Sequence, residues 1–146
     1  MTGAISDYGC ILKMGDGATP ENFTAIAEVV SVPPPGLDNP TIEGTSHGSG
    51  GYREFISGKL KEIPEFTINI SFVPTAATHN VTTGLLSKVV SGAVTNFQFV
   101  FPNLSATTWS FSAVVSKFAP AEADATSPKP LATAITFRPT GTPTLA

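Results

Sequence analysis

The sequence predicts a mainly β fold, an antiparallel β-sandwich or small barrel with one short flanking α-helix. Three observations carry this. Apolar and polar residues alternate with period two along 65–73, 96–101, 109–116 and 132–138. A helical period appears in one segment only, 81–90. The strands lie at short, irregular spacings with hairpin-like links marked by turn residues.

Taken in order, residues 1–10 are small and polar and read as a flexible arm. Ile11–Met14 is a short apolar run closed by the turn signal Gly15-Asp16-Gly17. Phe23–Val32 reads as one strand, β-branched at its end, and Pro33-Pro34-Pro35-Gly36 stops it, because proline cannot donate to a ladder. Thr41–Thr45 is expected to be a short strand entering a long loop at 46–64. The loop is rich in glycine and charge and has no clear period.

The strand that follows has the cleanest alternation in the chain. Phe66, Ile68, Ile70 and Phe72 point one way, and Glu65, Thr67, Asn69 and Ser71 the other. Val81, Leu85, Leu86, Val89 and Val90 form one helical face, with Asn80 or Thr78 placed to cap its start and Gly92 to stop it. Phe97, Phe99 and Phe101 then alternate with Asn96, Gln98 and Val100. Trp109, Phe111, Ala113 and Val115 alternate with Ser110, Ser112, Val114 and Ser116. A proline- and alanine-rich loop spans 120–130. Ala132, Ala134, Thr136 and Arg138 alternate with Thr133, Ile135 and Phe137, and 139–146 reads as a tail with no element. There is no internal repeat and no sign of a second domain, so 1–146 is taken as one.

Composition narrows the function. Of 146 residues, 41% are hydrophobic and only 13% charged, about half the globular norm of roughly 25%. So uncharged a surface points to coverage by other protein, although a chain rich in Thr, Ser and Ala also lowers charge. The net charge of -3 and the absence of a basic block argue against nucleic-acid binding through phosphates. One cysteine, Cys10, excludes an internal disulfide and a multi-thiolate zinc site, and fits a reducing compartment. No segment has the 18 or so apolar residues that span a bilayer, and Met1–Leu12 lacks the regions of a secretory signal.

No chemical site is expected. Gly48-Ser49-Gly50-Gly51 is not a phosphate loop, because Gly58-Lys59 is followed by Leu60 and no helix opens there. His47 and His79 have no metal-ligand spacing, and His79 reads as a capping or surface residue. No G-x-S-x-G occurs, and Glu62 with Glu65, or Glu43 with Glu54, read as solvated charges. The chain is therefore taken as a non-enzyme with no cofactor and no metal. What stands out is a cluster: Arg53, Glu54, Lys59, Lys61, Glu62 and Glu65 gather beside Tyr52 and Phe55. Aromatics and arginine anchor interfaces, while charge pairs set register. The polar strand faces carry Thr, Ser, Asn and Gln, which suits confined water, a partner sheet or ordinary solvent.

The chain resembles the major tail tube proteins of long-tailed, lambda-like bacteriophages. The likeness runs through Lys13-Met14-Gly15-Asp16-Gly17, Phe23–Val29, Pro35-Gly36-Leu37 and Gly50–Gly58. It continues through Asn96-Phe97-Gln98, Phe101-Pro102, Thr108–Phe111, Phe118 with Pro120, and Thr140-Gly141. The resemblance implies a structural virion protein with the tail tube fold. Six copies would join their sheets into a ring with a continuous inner β-barrel, and stacked rings would conduct DNA into the host without binding it specifically. It implies tape-measure, tail-tip and tail-terminator partners, no membrane, and assembly in the bacterial cytoplasm. It also implies that the long loop reaches a neighbouring ring, which places His47, Gly50, Gly51, Tyr52, Arg53, Glu54, Phe55, Lys59 and Lys61 at a subunit interface, with contacts from the arm 1–10. The alternatives are a tube subunit of a prophage-derived, gene-transfer or type VI-like particle, and a decoration or carbohydrate-binding β-sandwich.

Overall fold

The computed structural model describes residues 3–145. The extreme ends of the expected arm and tail lie outside them. The strands are β1 (Ile11–Gly15), β2 (Phe23–Ala25), β3 (Val29–Ser31), β4 (Thr41–Glu43), β5 (Phe55–Ser57) and β6 (Phe66–Ser71). Then come α1 (Leu85–Ser91), β7 (Val94–Val100), β8 (Thr108–Pro120) and β9 (Ala132–Leu145). Seven strands form one antiparallel sheet in the order β2-β1-β7-β8-β9-β6-β3, and β4 pairs with β5 apart from it. The alternation that predicts the long strands is the alternation that fills the core. Ile68 and Ile70, Phe97 and Phe99, Phe111 with Ala113 and Val115, and Ile135 with Phe137 are all buried. Phe66 stacks on Phe137 at 5.1 Å and meets Phe111 edge-on, and Phe97 meets Phe137 edge-on at 5.0 Å.

The outermost strands, β2 and β3, are neighbours in the chain. Laid flat, seven strands would hold them about 29 Å apart. The four steps from Ala25 to Val29 reach about 14 Å at most. The sheet must therefore curl until its margins meet, which makes the barrel-like layer. The expected single strand Phe23–Val32 is thus two, and the chain changes partner between them, from β1 to β6. Glu28 takes a left-handed backbone at the switch (φ 55°).

Four backbone groups at the switch find partners. The Ile26 N–H donates to Leu12 O at 3.0 Å, and Glu28 O accepts from the Ser71 N–H at 2.8 Å. Ala27 lies between, with no strand to pair with. Its N–H donates to Thr78 Oγ1 at 3.1 Å, and its carbonyl accepts from His79 Nε2 at 2.7 Å. The Val73 N–H donates to His79 Nδ1 at 3.1 Å, so the ring proton sits on Nε2. His79 is 0% exposed and stacks on Phe72. It is a core residue, contrary to the capping or surface role expected, because the half-buried switch and Val73 beside it need a side chain that both donates and accepts.

The same demand shortens the helix. The segment 78–84 is spent on the switch and on a turn in which Asn80 Oδ1 accepts from the N–H groups of Thr82, Thr83 and Gly84. The helix starts at Leu85, so Val81 stands exposed outside it, and Val90 is exposed on its far side. Leu85 is the buried anchor, and Gly92 ends the helix in the left-handed region as expected (φ 67°). A Cβ on Gly84 would come within 2.5 Å of the His79 and Asn80 backbone, so only glycine fits there.

The expected tail also proves to be structure. β9 runs on to Leu145, pairing Thr140 with Ser112 and Leu145 with Trp109 across a register shift. Its pairing with β6 ends at Phe137, so beyond that point one margin of β9 is free. A free margin is where a strand accommodates Pro139 and Pro143, which is why a proline-bearing stretch pairs here without a clean pattern.

Replacing His79 with leucine keeps the volume and strands the Val73 N–H and the Ala27 carbonyl. Stability should fall by about 1–3 kcal/mol for each group. Urea denaturation measures this, and a loss below about 1 kcal/mol would contradict the role of His79 at the switch.

Candidate assembly interface

The strongest candidate site is the chain between β3 and β6. It is a hairpin, not the unpatterned loop expected at 46–64. β4 pairs antiparallel with β5, placing Thr41 opposite Ser57, Ile42 opposite Ile56 and Glu43 opposite Phe55. Its root is pinned to the body. Asp38 and Glu62 exchange backbone hydrogen bonds of 2.8 and 3.1 Å, Ile63 is buried, and the Glu62 carboxylate lies 3.8 Å from the Arg138 guanidinium. The Ser57 hydroxyl donates to Asn39 Oδ1 at 3.0 Å.

The tip is held by its own short polar side chains. The Gly44 N–H donates to Glu54 O at 2.8 Å, and the Glu54 N–H donates to Thr45 Oγ1. The Ser49 hydroxyl accepts from the Ser46 N–H and donates to the Glu54 carboxylate. Gly50 and Gly51 turn the chain with φ of 64° and 86°, a conformation that costs other residues strain. Arg53 sits 3.8 Å from Glu43 across the ribbon, fully in solvent reach.

The predicted site residues therefore divide. His47, Gly50, Gly51, Tyr52, Arg53 and Glu54 come together at the tip, and Phe55 opens β5. Lys59 and Lys61 lie apart, on the segment returning to the root, where Lys59 itself has a positive φ of 67°. Tyr52 is 81% exposed, Phe55 58% and Leu60 84%. Ile42 and Ile56 are also more than half exposed and were missed as interface candidates. Their signal is faint: one isoleucine in each three-residue strand, legible only once the two strands are in register.

A two-stranded ribbon is marginal alone in water, and this one leaves its large apolar groups uncovered. Ile42, Tyr52, Phe55, Ile56 and Leu60 all remain exposed along it.

A second surface is the outer side of the sheet. Gln98 faces Ser110 and Asn96 faces Ser112. These polar groups bond to one another: the Ser112 hydroxyl donates to Asn96 Oδ1, Asn96 Nδ2 donates to Glu21, Thr67 bonds Thr136, and Asn69 Nδ2 donates to Ser31. The result is a polar, wettable wall with few charges, among them Glu21 beside Asn96, Lys117 opposite Thr136 and Arg138 opposite Val114.

No protein-family model matches this chain, and no curated protein does. Solved structures do. A chain in the virion of a native gene transfer agent particle superposes with a TM-score of 0.75 at 16% identity, covering 98% of this chain and 99% of that one. A chain in the 6-fold symmetrised baseplate of the anti-feeding prophage gives 0.71 at 10% identity, over 97% and 95%. A chain in the extended sheath–tube complex of the PVC extracellular contractile injection system gives 0.68 at 17% identity, over 100% and 95%. Identities this low establish a shared fold, end to end, with components of phage-like particles.

Alanine at both Gly50 and Gly51 should strain the tip by about 1–2 kcal/mol per residue. With the strain summed over the two residues, the Gly44 amide should then exchange about 30-fold faster or more, while core amides such as Ile68 stay unchanged. Equal exchange at Gly44 would show that the tip does not depend on this turn.

Proposed function

We propose that this chain is the tube subunit of a tail-like particle. Six copies close into a ring, rings stack, and the hollow tube conducts DNA to a host cell. The observation that carries this is the hairpin, whose apolar groups find no cover on their own chain, set on a fold shared with components of phage-like particles. One of those assemblies is 6-fold symmetrised and another is a sheath–tube complex.

The role is mechanical, and its physics is of three kinds. Joining sheets edge to edge consumes exposed strand margins, which are otherwise an aggregation hazard. Stacking one ring on the next through unlike surfaces gives an open polymer of defined polarity. The wall that DNA passes must not hold it, and adhesion to DNA requires cations that neutralise phosphates. The outer face of β6, β7, β8 and β9, whose side chains are mostly uncharged and bond to one another, suits such a lining. Its cations are few: Lys117, opposite Thr136, and Arg138, beside Glu62, with Lys13 opposite Gln98 on β1.

Two kinds of particle fit. The resemblance in sequence is to long non-contractile tails. The structural likenesses are to a gene transfer agent and to contractile injection systems, and these favour a tube of that kind equally. In each, tape-measure, tip and terminator proteins would be the partners, the particle tail its final location, and the bacterial cytoplasm its place of assembly.

The test is to concentrate purified protein and follow it by light scattering and negative-stain electron microscopy. Hollow tubes or rings of uniform width are expected, and deletion of residues 47–61 should abolish stacking while leaving a folded subunit. A monomer that persists even when seeded with tail-tip components would overturn the proposal in favour of a virion binding module.

A further inference from the structure

The loop after β1 carries Asp16-Gly17, the only Asp-Gly or Asn-Gly pair in the sequence. Such a pair is chemically vulnerable. The backbone nitrogen of the glycine, with no Cβ beside it, can attack the side-chain carbonyl carbon of the aspartate. The new C–N bond closes a five-membered succinimide, and the hydroxyl of the neutral carboxyl leaves with the amide proton as water. Water then opens the ring at either carbonyl. Opening at the main-chain carbonyl gives isoaspartate, which places one extra carbon in the main chain with no change in mass.

The structure obstructs each requirement of this reaction. The nucleophile is occupied, because the Gly17 N–H donates to Glu21 Oε1 at 3.1 Å. The electrophile is tethered. Asp16 Oδ1 accepts from the Ala18 N–H at 2.9 Å and from the Asn22 N–H at 3.1 Å, and Oδ2 accepts from Asn22 Nδ2 at 3.3 Å. Swinging the carboxyl carbon onto the Gly17 nitrogen gives up these bonds. The neutral acid is also scarce, since the Ala18 and Asn22 backbone N–H groups hold the Asp16 carboxyl below its usual range. Glu21 is fixed in turn by the sheet. Its other oxygen accepts from Asn96 Nδ2 at 2.8 Å, and Asn96 Oδ1 accepts from the Ser112 hydroxyl at 2.7 Å. Gly15 clears the space, because a Cβ there would collide with the Glu21 carboxylate.

We propose that Glu21, anchored on the polar wall by Asn96, guards the Asp16–Gly17 bond against isomerisation. An extra main-chain carbon would displace the chain just beyond Gly15, which pairs with Phe23 where β1 meets β2. In the proposed tube a subunit is not replaced after assembly, so such a lesion would persist. The guard itself acts equally in a free subunit, and its test does not require assembly.

The test is ageing. The full-length native chain, Glu21→Ala and Asn96→Ala are held for weeks in warm neutral buffer, beside a synthetic peptide of residues 11–25. Isoaspartate at position 16 is read by electron-transfer fragmentation in a mass spectrometer, and circular dichroism follows the fold. Loss of one hydrogen bond of this kind is worth about 2- to 12-fold. Glu21→Ala should therefore form isoaspartate faster than the native chain by about that factor, and the peptide faster still. Asn96→Ala, which leaves every residue of the loop in place, should fall between the native chain and Glu21→Ala. A native chain that isomerises as fast as the peptide would overturn the guard. So would an equal or slower rate in Glu21→Ala, a slower one meaning that the carboxylate takes up the amide proton and promotes the attack. If Glu21→Ala loses its fold, Asn96→Ala decides, and an unchanged rate in that folded variant would overturn the anchored guard.

Discussion

The structure depends on how the chain gets from β2 to β3. A strand that leaves one partner for another exposes backbone that neither partner satisfies, and here that backbone is half-buried, over the buried Thr78 and His79. The hydrogen bonds between Ala27 and the side chains of Thr78 and His79 solve this. Without them the curled sheet would be disfavoured, because a part-buried amide and carbonyl would be left unpaired. The curl in turn fixes the polarity of the molecule. The hairpin stands at one end, the loops after β1 and β8 at the other, and a polar wall with few charges runs between.

What the sequence revealed follows from where burial is one-sided. β6, β7, β8 and the first half of β9 each bury one face, so their alternation is strong, and all four were legible with their inward residues. The helix was legible in kind but not in extent. Val81 fits a helical face by spacing, yet its neighbours Thr78 and His79 are required by a strand more than 50 positions away, a demand that no local window contains. The same long-range demand split Phe23–Val32 in two without any local break signal. The end of β9 was hidden for a different reason. With a partner on one side only, it tolerates Pro139 and Pro143, which in a central strand would be excluded.

The candidate interface was legible in place but not in form. Glycine, mixed charge and aromatics marked 46–64 as unusual. The hairpin could not be seen because a ribbon exposed on both faces has no alternation to read. That absence of pattern is itself informative in retrospect. Apolar residues on both sides of a ribbon contradict a solvent-exposed element, and the conflict is removed if assembly covers them. Low overall charge agrees, since surfaces destined for contact carry few ions.

In the proposed tube, the hairpin is an element whose stability is completed by neighbours, as an isolated two-stranded ribbon would require. Hydrogen exchange of the Gly44 and Gly58 amides, both bonded within the hairpin, tests this directly in dispersed and in assembled protein. Fast exchange in the free subunit and strong protection in the tube is the predicted result. Equal protection in the two states would contradict it, and would mean that the hairpin is neither completed by stacking nor the element that holds the stack together.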